Sequence, residues 1–150
     1  MPSKPLQHAE YDDIADEYAA SKQLPFRTVV EAPTLFSLVG DVQGLAVLDL
    51  PCGDGTYSRA LARRGAASVQ GIDLSSAMIE RARQAERQAP LGISYRVGDA
   101  ADLGIVGAFD LILASYLFNY AQTRAQLLVF ARVVYANLKK VILYLFAAAL

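Results

Sequence analysis

Short apolar runs alternate with longer stretches of helical period along this chain. Runs at about 45–50, 67–72, 93–97 and 109–115 are mostly apolar and rich in Val, Ile, Leu and aromatic residues, as buried parallel strands are. Between them, 56–64, 75–88 and 122–138 have the spacing of helices. Ser75 or Ser76 supplies an N-cap for the second of these, and Pro90-Leu91-Gly92 ends it. A further apolar run at 141–146 predicts a last strand. Upstream, 1–9 carries two prolines and reads as a flexible arm, whereas 10–21 gathers Tyr11, Ile14, Ala15 and Tyr18 on one helical face. Pro25 and Pro33 suit first helical turns, so one or two more helices are expected before the first strand. Strand and helix in alternation imply a parallel sheet covered on both faces, with ligands at the carboxyl ends of the strands.

Two of those strand ends carry acids. Val47-Leu48-Asp49 runs into Leu50-Pro51-Cys52-Gly53-Asp54-Gly55, and a helix follows. Glycine lets backbone approach a ligand closely, and the first N–H groups of the helix point to the same place. The second strand ends at Gly71-Ile72-Asp73, and Asp73 lies 18 residues past Gly55. An acid there is placed to take ribose hydroxyls. A dinucleotide fingerprint needs a third glycine three residues after Gly55, and that position is Ser58, so an NAD site is disfavoured.

The segment Asp49-Leu50-Pro51-Cys52-Gly53-Asp54-Gly55 resembles instead the D-x-G-x-G-x-G motif of class I S-adenosylmethionine-dependent methyltransferases, with Pro51 in place of the first glycine. Proline fixes φ near −65° and has no N–H, so the turn there needs neither a positive φ nor a donor. Gly71-Ile72-Asp73-Leu74-Ser75-Ser76-Ala77-Met78 is similar to the second motif, Val97-Gly98-Asp99-Ala100 to the third, and Phe109 to Tyr116 to the fourth strand. Tyr11 to Tyr18 resembles the opening helix of the small-molecule enzymes of this family. The resemblance spans about residues 10 to 138. It implies a three-layer α/β, Rossmann-like, doubly wound and mainly parallel sheet of about five strands with helices on both faces. It also implies one S-adenosylmethionine-binding domain over 1–150, with 1–40 as a helical cap segment.

Site roles follow from the same resemblance. Gly53 and Gly55, with Pro51 and Cys52, border the methionine portion of S-adenosylmethionine. Asp73 takes the ribose, Leu74 and Met78 the adenine face, and Asp99 with Ala100 the adenine edge. Ala114, Ser115 and Tyr116 form the floor under the methyl group, and Tyr11 and Tyr18 close over the cofactor. Asp49 either holds the loop or meets the cofactor's amino group. The implied reaction is methyl transfer to an O, N or C nucleophile of a small molecule, with no catalytic residue assigned. The alternative is a cofactor-binding module without turnover.

Composition narrows the partners. The chain has 150 residues, enough for one domain with a real core, and 54% are hydrophobic. Net charge is −1, and the arginine clusters at 59, 63, 64 and at 81, 83, 87 read as solvated helix faces rather than a nucleic-acid stripe. One cysteine excludes an internal disulfide, and no signal peptide is evident, so a cytoplasmic protein is expected. No His/Cys/Asp/Glu set has metal-ligand spacing, so no metal is expected. Cys52 and His8 read as lining and arm residues rather than nucleophile and base. Tyr116, Asn119 and Tyr120 follow the fourth strand and can reach the substrate side. The ten uncharged residues 141–150 are too short to span a membrane. Compared with the family, the carboxyl end is short. The last strand should then expose an apolar edge and favour a homodimer.

Overall fold

The computed structural model describes residues 24–139. A π-helical segment, Phe26–Glu31, runs directly into α1 (Ala32–Val39). Then follow β1 (Ala46–Asp49), α2 (Thr56–Arg63), β2 (Ser68–Asp73), α3 (Ser76–Gln88), β3 (Ser94–Val97), β4 (Leu111–Leu113), a 3-10 turn at Leu117–Tyr120, and α4 (Arg124–Asn137). The strands form one parallel sheet in the order β3-β2-β1-β4. That order reverses direction at β1, which puts the crevice for a ligand beyond the carboxyl ends of β1 and its neighbours.

Strand period decides which residues face which layer. Val47 is in register with Val69 of β2 and Leu111 of β4, and these pack with Leu35, Leu61 and Ile79 from α1, α2 and α3. Its neighbour Leu48 points the other way and packs with Ile72, Ile112, and Phe130 and Val134 of α4. Helices therefore cover both faces, as the alternation implies. Leu48, Leu61, Ile72 and Ile79 are fully buried, each contributing about 1.5–3 kcal/mol. Ser75 caps α3 by accepting from the Met78 N–H at 3.2 Å, and Thr123 caps α4 by accepting from the Gln126 N–H at 3.1 Å.

The arginine-rich faces depart from expectation. Arg59 is buried, its guanidinium 2.7 Å from Glu86 Oε2 and donating to the Ala89 carbonyl. Glu86 Oε1 accepts the N–H groups of Leu91, Gly92 and Ile93. Partial burial opposes the charge of Glu86, but the three amides and Arg59 hold its carboxyl below the usual range. This clamp closes the turn that Pro90-Leu91-Gly92 opens. Arg64 remains exposed and lies over the Phe36 ring at 3.7 Å.

The fourth strand is shorter than the run 109–115. Its amino end is replaced by polar ties: Asp110 Oδ2 accepts the Ala46 N–H at 2.9 Å, and Phe109 makes a single parallel bridge to Leu138. The Phe109 N–H donates to the Asn137 carbonyl and the Lys139 N–H to the Phe109 carbonyl, both at 2.8 Å. The chain leaving α4 thus begins to pair beside the entry to β4. The expected strand at 141–146, its dimer edge, the arm and the helix at 10–21 lie outside the described residues.

Candidate functional site

A cleft of about 90 Å³ opens at the carboxyl ends of β1, β2 and β4, room for far more than one water, which needs roughly 10–15 Å³. The loop after β1 is stitched to both neighbouring strands. The Leu50 N–H donates to the Leu113 carbonyl, and the Cys52 N–H to the Ile72 carbonyl, each at 2.9 Å. The Leu50–Pro51 peptide is cis, and Pro51 is not among the residues of positive φ. Gly53 (φ +55°) is, and it presents its backbone to the cleft.

Asp73 sits on the opposite lip. Its Oδ2 accepts the Gly53 N–H at 2.7 Å and its Oδ1 the Ser75 N–H at 2.9 Å. One carboxylate therefore joins the glycine loop to the start of α3. Leu74 and Met78 continue this wall, and Asp99 and Ala100 form the next. Asp99 Oδ1 accepts the Ala101 N–H at 2.7 Å, which fixes the turn after β3. Ser115 and Tyr116 close the third side. Pro51, Cys52, Gly53, Asp73, Leu74, Met78, Asp99, Ala100, Ser115 and Tyr116, named from separate stretches of sequence, all line this one cleft.

Three expected site residues do not line it. Asp49 is 1% exposed and accepts from the Ser58 hydroxyl at 2.6 Å. It ties β1 to the first turn of α2 and is not among the residues that line the cleft. Gly55 (φ +79°) begins α2, and a Cβ there would lie 2.4 Å from the Tyr95 hydroxyl oxygen, so its glycine serves packing. Ala114 alternates away from Ser115 and packs in the core against α4's face of the sheet. Tyr11 and Tyr18 lie outside the described residues. Asn119 is exposed, whereas Tyr120 lines the cleft.

Sequence reasoning missed Arg27, Tyr57 and Gly98, which also line the cleft, and Glu31 behind it. The Arg27–Glu31 pair, 3.5 Å apart at i,i+4, was visible as a helical spacing. Glu31 accepts from the hydroxyls of both Tyr57 and Tyr116. Burial first, and then the bond to Glu31 and its charge, push the Tyr57 phenol above its usual range. Tyr116 has φ +66°, the one non-glycine residue of positive φ among those described. Tyr95 was missed too. It packs against Gly55, Gly71 and Cys52, and the glycine inside β2 was its signal. Burial, then the negative potential of Cys52 and Asp49, push its phenol upward as well. Among the described residues no three His, Cys, Asp or Glu side chains are arranged for a metal, and no helix is long and apolar enough to cross a membrane.

Comparison with known proteins agrees with this geometry. Residues 47–140 match the family described as a methyltransferase domain. A ubiquinone biosynthesis O-methyltransferase from Cereibacter sphaeroides is 37% identical over 114 residues, covering 73% of this chain and 42% of that protein. A ribosomal protein L11 methyltransferase from Exiguobacterium sp. is 40% identical over 77 residues, 50% of this chain and 24% of that one. The crystal structure of an S-adenosylmethionine-dependent methyltransferase from Mesorhizobium loti superposes with a TM-score of 0.59 at 37% identity, covering 72% of this chain and 48% of that one. The chain thus spans less than half the length of these relatives. With its parallel sheet, its glycine loop and the match over β1 to α4, this chain belongs to the methyltransferase-domain family and has the class I, Rossmann-like fold of S-adenosylmethionine-dependent methyltransferases.

Proposed function

We propose that this chain is a single cofactor-binding domain that holds S-adenosylmethionine in the cleft and transfers its methyl group to an O, N or C atom of a small molecule. The observation that carries this reading is the convergence of residues from four separate motifs on one cleft, with the Asp73–Gly53 bond at its lip. In this reading Gly53, with Pro51 and Cys52, borders the methionine portion. Asp73 takes the ribose, Leu74 and Met78 the adenine face, and Asp99 and Ala100 its edge. Ser115 and Tyr116 face the reacting end, and residues up to 40, Tyr11 and Tyr18 included, close the site.

S-adenosylmethionine, when bound, supplies an already activated methyl group. The chain's own contribution is to align an acceptor in line and to keep water away. No base needs to be assigned for that. The acceptor is proposed to be a small molecule, as the likeness to small-molecule methyltransferases suggests, and Arg27, Tyr116 and Tyr120 line the cleft it would enter. The proposed setting is cytoplasmic, without nucleic-acid or membrane partners, and the proposed assembly is a homodimer through the carboxyl-terminal strand edge. A binding module without turnover is the second reading.

Mass spectrometry of ligand released from the purified protein, followed by calorimetry, tests the proposal. S-adenosylmethionine or S-adenosylhomocysteine is the expected ligand, and NADH is expected not to compete. Tight NADH binding with no adenosyl-sulfur ligand retained would overturn it. Methyl transfer to any acceptor excludes the second reading.

A further inference from the structure

Three strands put one residue each into a single row of the sheet. Asp49 of β1 is in register with Gly71 of β2, and Gly71 with Tyr95 of β3. Side chains in such a row leave the sheet on the same face, and neighbouring strands lie about 4.8 Å apart. Gly71 has no side chain, and the Tyr95 ring occupies the space. A Cβ built on Gly71 would fall 2.7 Å from Tyr95 Cδ1 and 2.9 Å from Cys52 Sγ. Beyond β2 the ring reaches the loop after β1, where a Cβ built on Gly55 would fall 2.8 Å from Tyr95 Cζ. Side chains do not come so close, so the ring needs a glycine at both positions.

The loop the ring touches is the one that borders the cleft. Pro51, Cys52 and Gly53 line the cleft, whereas Tyr95 does not. Backbone bonds hold the loop from the sides: the Cys52 N–H donates to the Ile72 carbonyl at 2.9 Å and the Gly55 N–H to the Cys52 carbonyl at 3.1 Å. Tyr95 supplies the floor beneath. It is 7% exposed and belongs to the same apolar cluster as Cys52. Its own carbonyl accepts from the Arg83 guanidinium at 2.9 Å, which ties β3 to α3.

We infer that Tyr95 is a positioning residue, whose ring props the glycine loop from beneath and so sets where Cys52 and Gly53 meet a bound molecule. Resting on the cofactor reading above, that molecule is S-adenosylmethionine and the part it presents to the loop is its methionine portion. A binding site needs its groups held to within about 0.5 Å, and a rigid ring in a close-packed core holds a backbone that well. Leucine at position 95 leaves a gap under Gly55, into which the loop settles. Alanine at position 71 acts from the other side, displacing the ring and Cys52.

Two measurements on Tyr95→Leu, Gly71→Ala, Tyr95→Phe and Val42→Ala test this. Phenylalanine keeps the ring. Val42 is a control: it is buried in the same cluster but precedes the amino end of β1, away from the cleft. The first measurement is amide hydrogen exchange of the ligand-free protein. Exchange at Cys52, Gly53 and Gly55 should quicken roughly tenfold in Tyr95→Leu and Gly71→Ala, and by less than about twofold in Tyr95→Phe and Val42→Ala. The second is calorimetry with S-adenosylhomocysteine, well below each melting temperature. Tyr95→Leu and Gly71→Ala should bind roughly tenfold more weakly, with Tyr95→Phe and Val42→Ala within about twofold of wild type. Equal losses in Tyr95→Leu and Val42→Ala would reduce Tyr95 to core packing and overturn the inference. So would quickened loop exchange at unchanged affinity, or a Tyr95→Leu variant that behaves like Tyr95→Phe. Should Tyr95→Leu not fold, Gly71→Ala decides by the same two readouts. Wild-type protein that binds neither S-adenosylmethionine nor S-adenosylhomocysteine would sink the cofactor reading alone, and the exchange pattern would still uphold or overturn the role of Tyr95 under the loop.

Discussion

Asp49 and Asp73 end neighbouring parallel strands and precede turns of similar composition, yet they do different work. Asp49 is buried and bonded to Ser58, whereas Asp73 lines the cleft and bonds the glycine loop. Strand register separates them. Asp49 is paired with Gly71, so Asp73 lies two positions farther along the same face, about 6–7 Å nearer the carboxyl edge. Of these two strand-end acids, the one whose strand outruns its neighbour lines the cleft.

Substituting each acid is the strongest way to break this contrast. Asp49→Ala should cost about 2–3 kcal/mol of stability, because it strands the buried Ser58 hydroxyl and opens a small void. Its melting temperature should fall, while affinity for S-adenosylhomocysteine in the folded protein stays within about threefold. Asp73→Ala should do the reverse, losing about 1.5–3 kcal/mol of S-adenosylmethionine affinity by calorimetry with a smaller stability change. If the two variants showed the same profile, the division of labour drawn from register would be wrong.

Ser58→Gly sharpens the comparison on the structural side. It converts the position to the glycine of a dinucleotide fingerprint and removes the bond to Asp49. A loss of about 1–2 kcal/mol in denaturant unfolding is expected, from the hydrogen bond and from helical glycine together, with no gain of NADH binding. Acquired NADH affinity would mean that the serine excludes a dinucleotide, and not the loop.

The smallest effect belongs to Tyr95. Its buried hydroxyl has no hydrogen-bond partner among the described residues. Tyr95→Phe should therefore raise stability by about 0.5–1 kcal/mol in a chemical melt, since an unsatisfied polar group is removed at constant shape. A loss greater than about 1 kcal/mol would reveal a partner for that hydroxyl and link it to Asp49 and Cys52.

The sequence by itself determined the strands, the helices and the glycine loop, because period, caps and turn chemistry are local properties. Asp73, Gly53, Met78 and Asp99 were legible for the same reason: each sits at a fixed offset from a strand end. Tertiary structure decided what no offset records. Register moved Asp49 out of the cleft, and alternation turned Ala114 into the core. Tyr95 claimed Gly55 for packing, and Arg59 left a helix face of apparent surface charge to pair with Glu86. Glu31 shows the limit most clearly, because its partners lie 26 and 85 residues away. Only the closing of the sheet brings α2, the turn after β4 and the segment before α1 together.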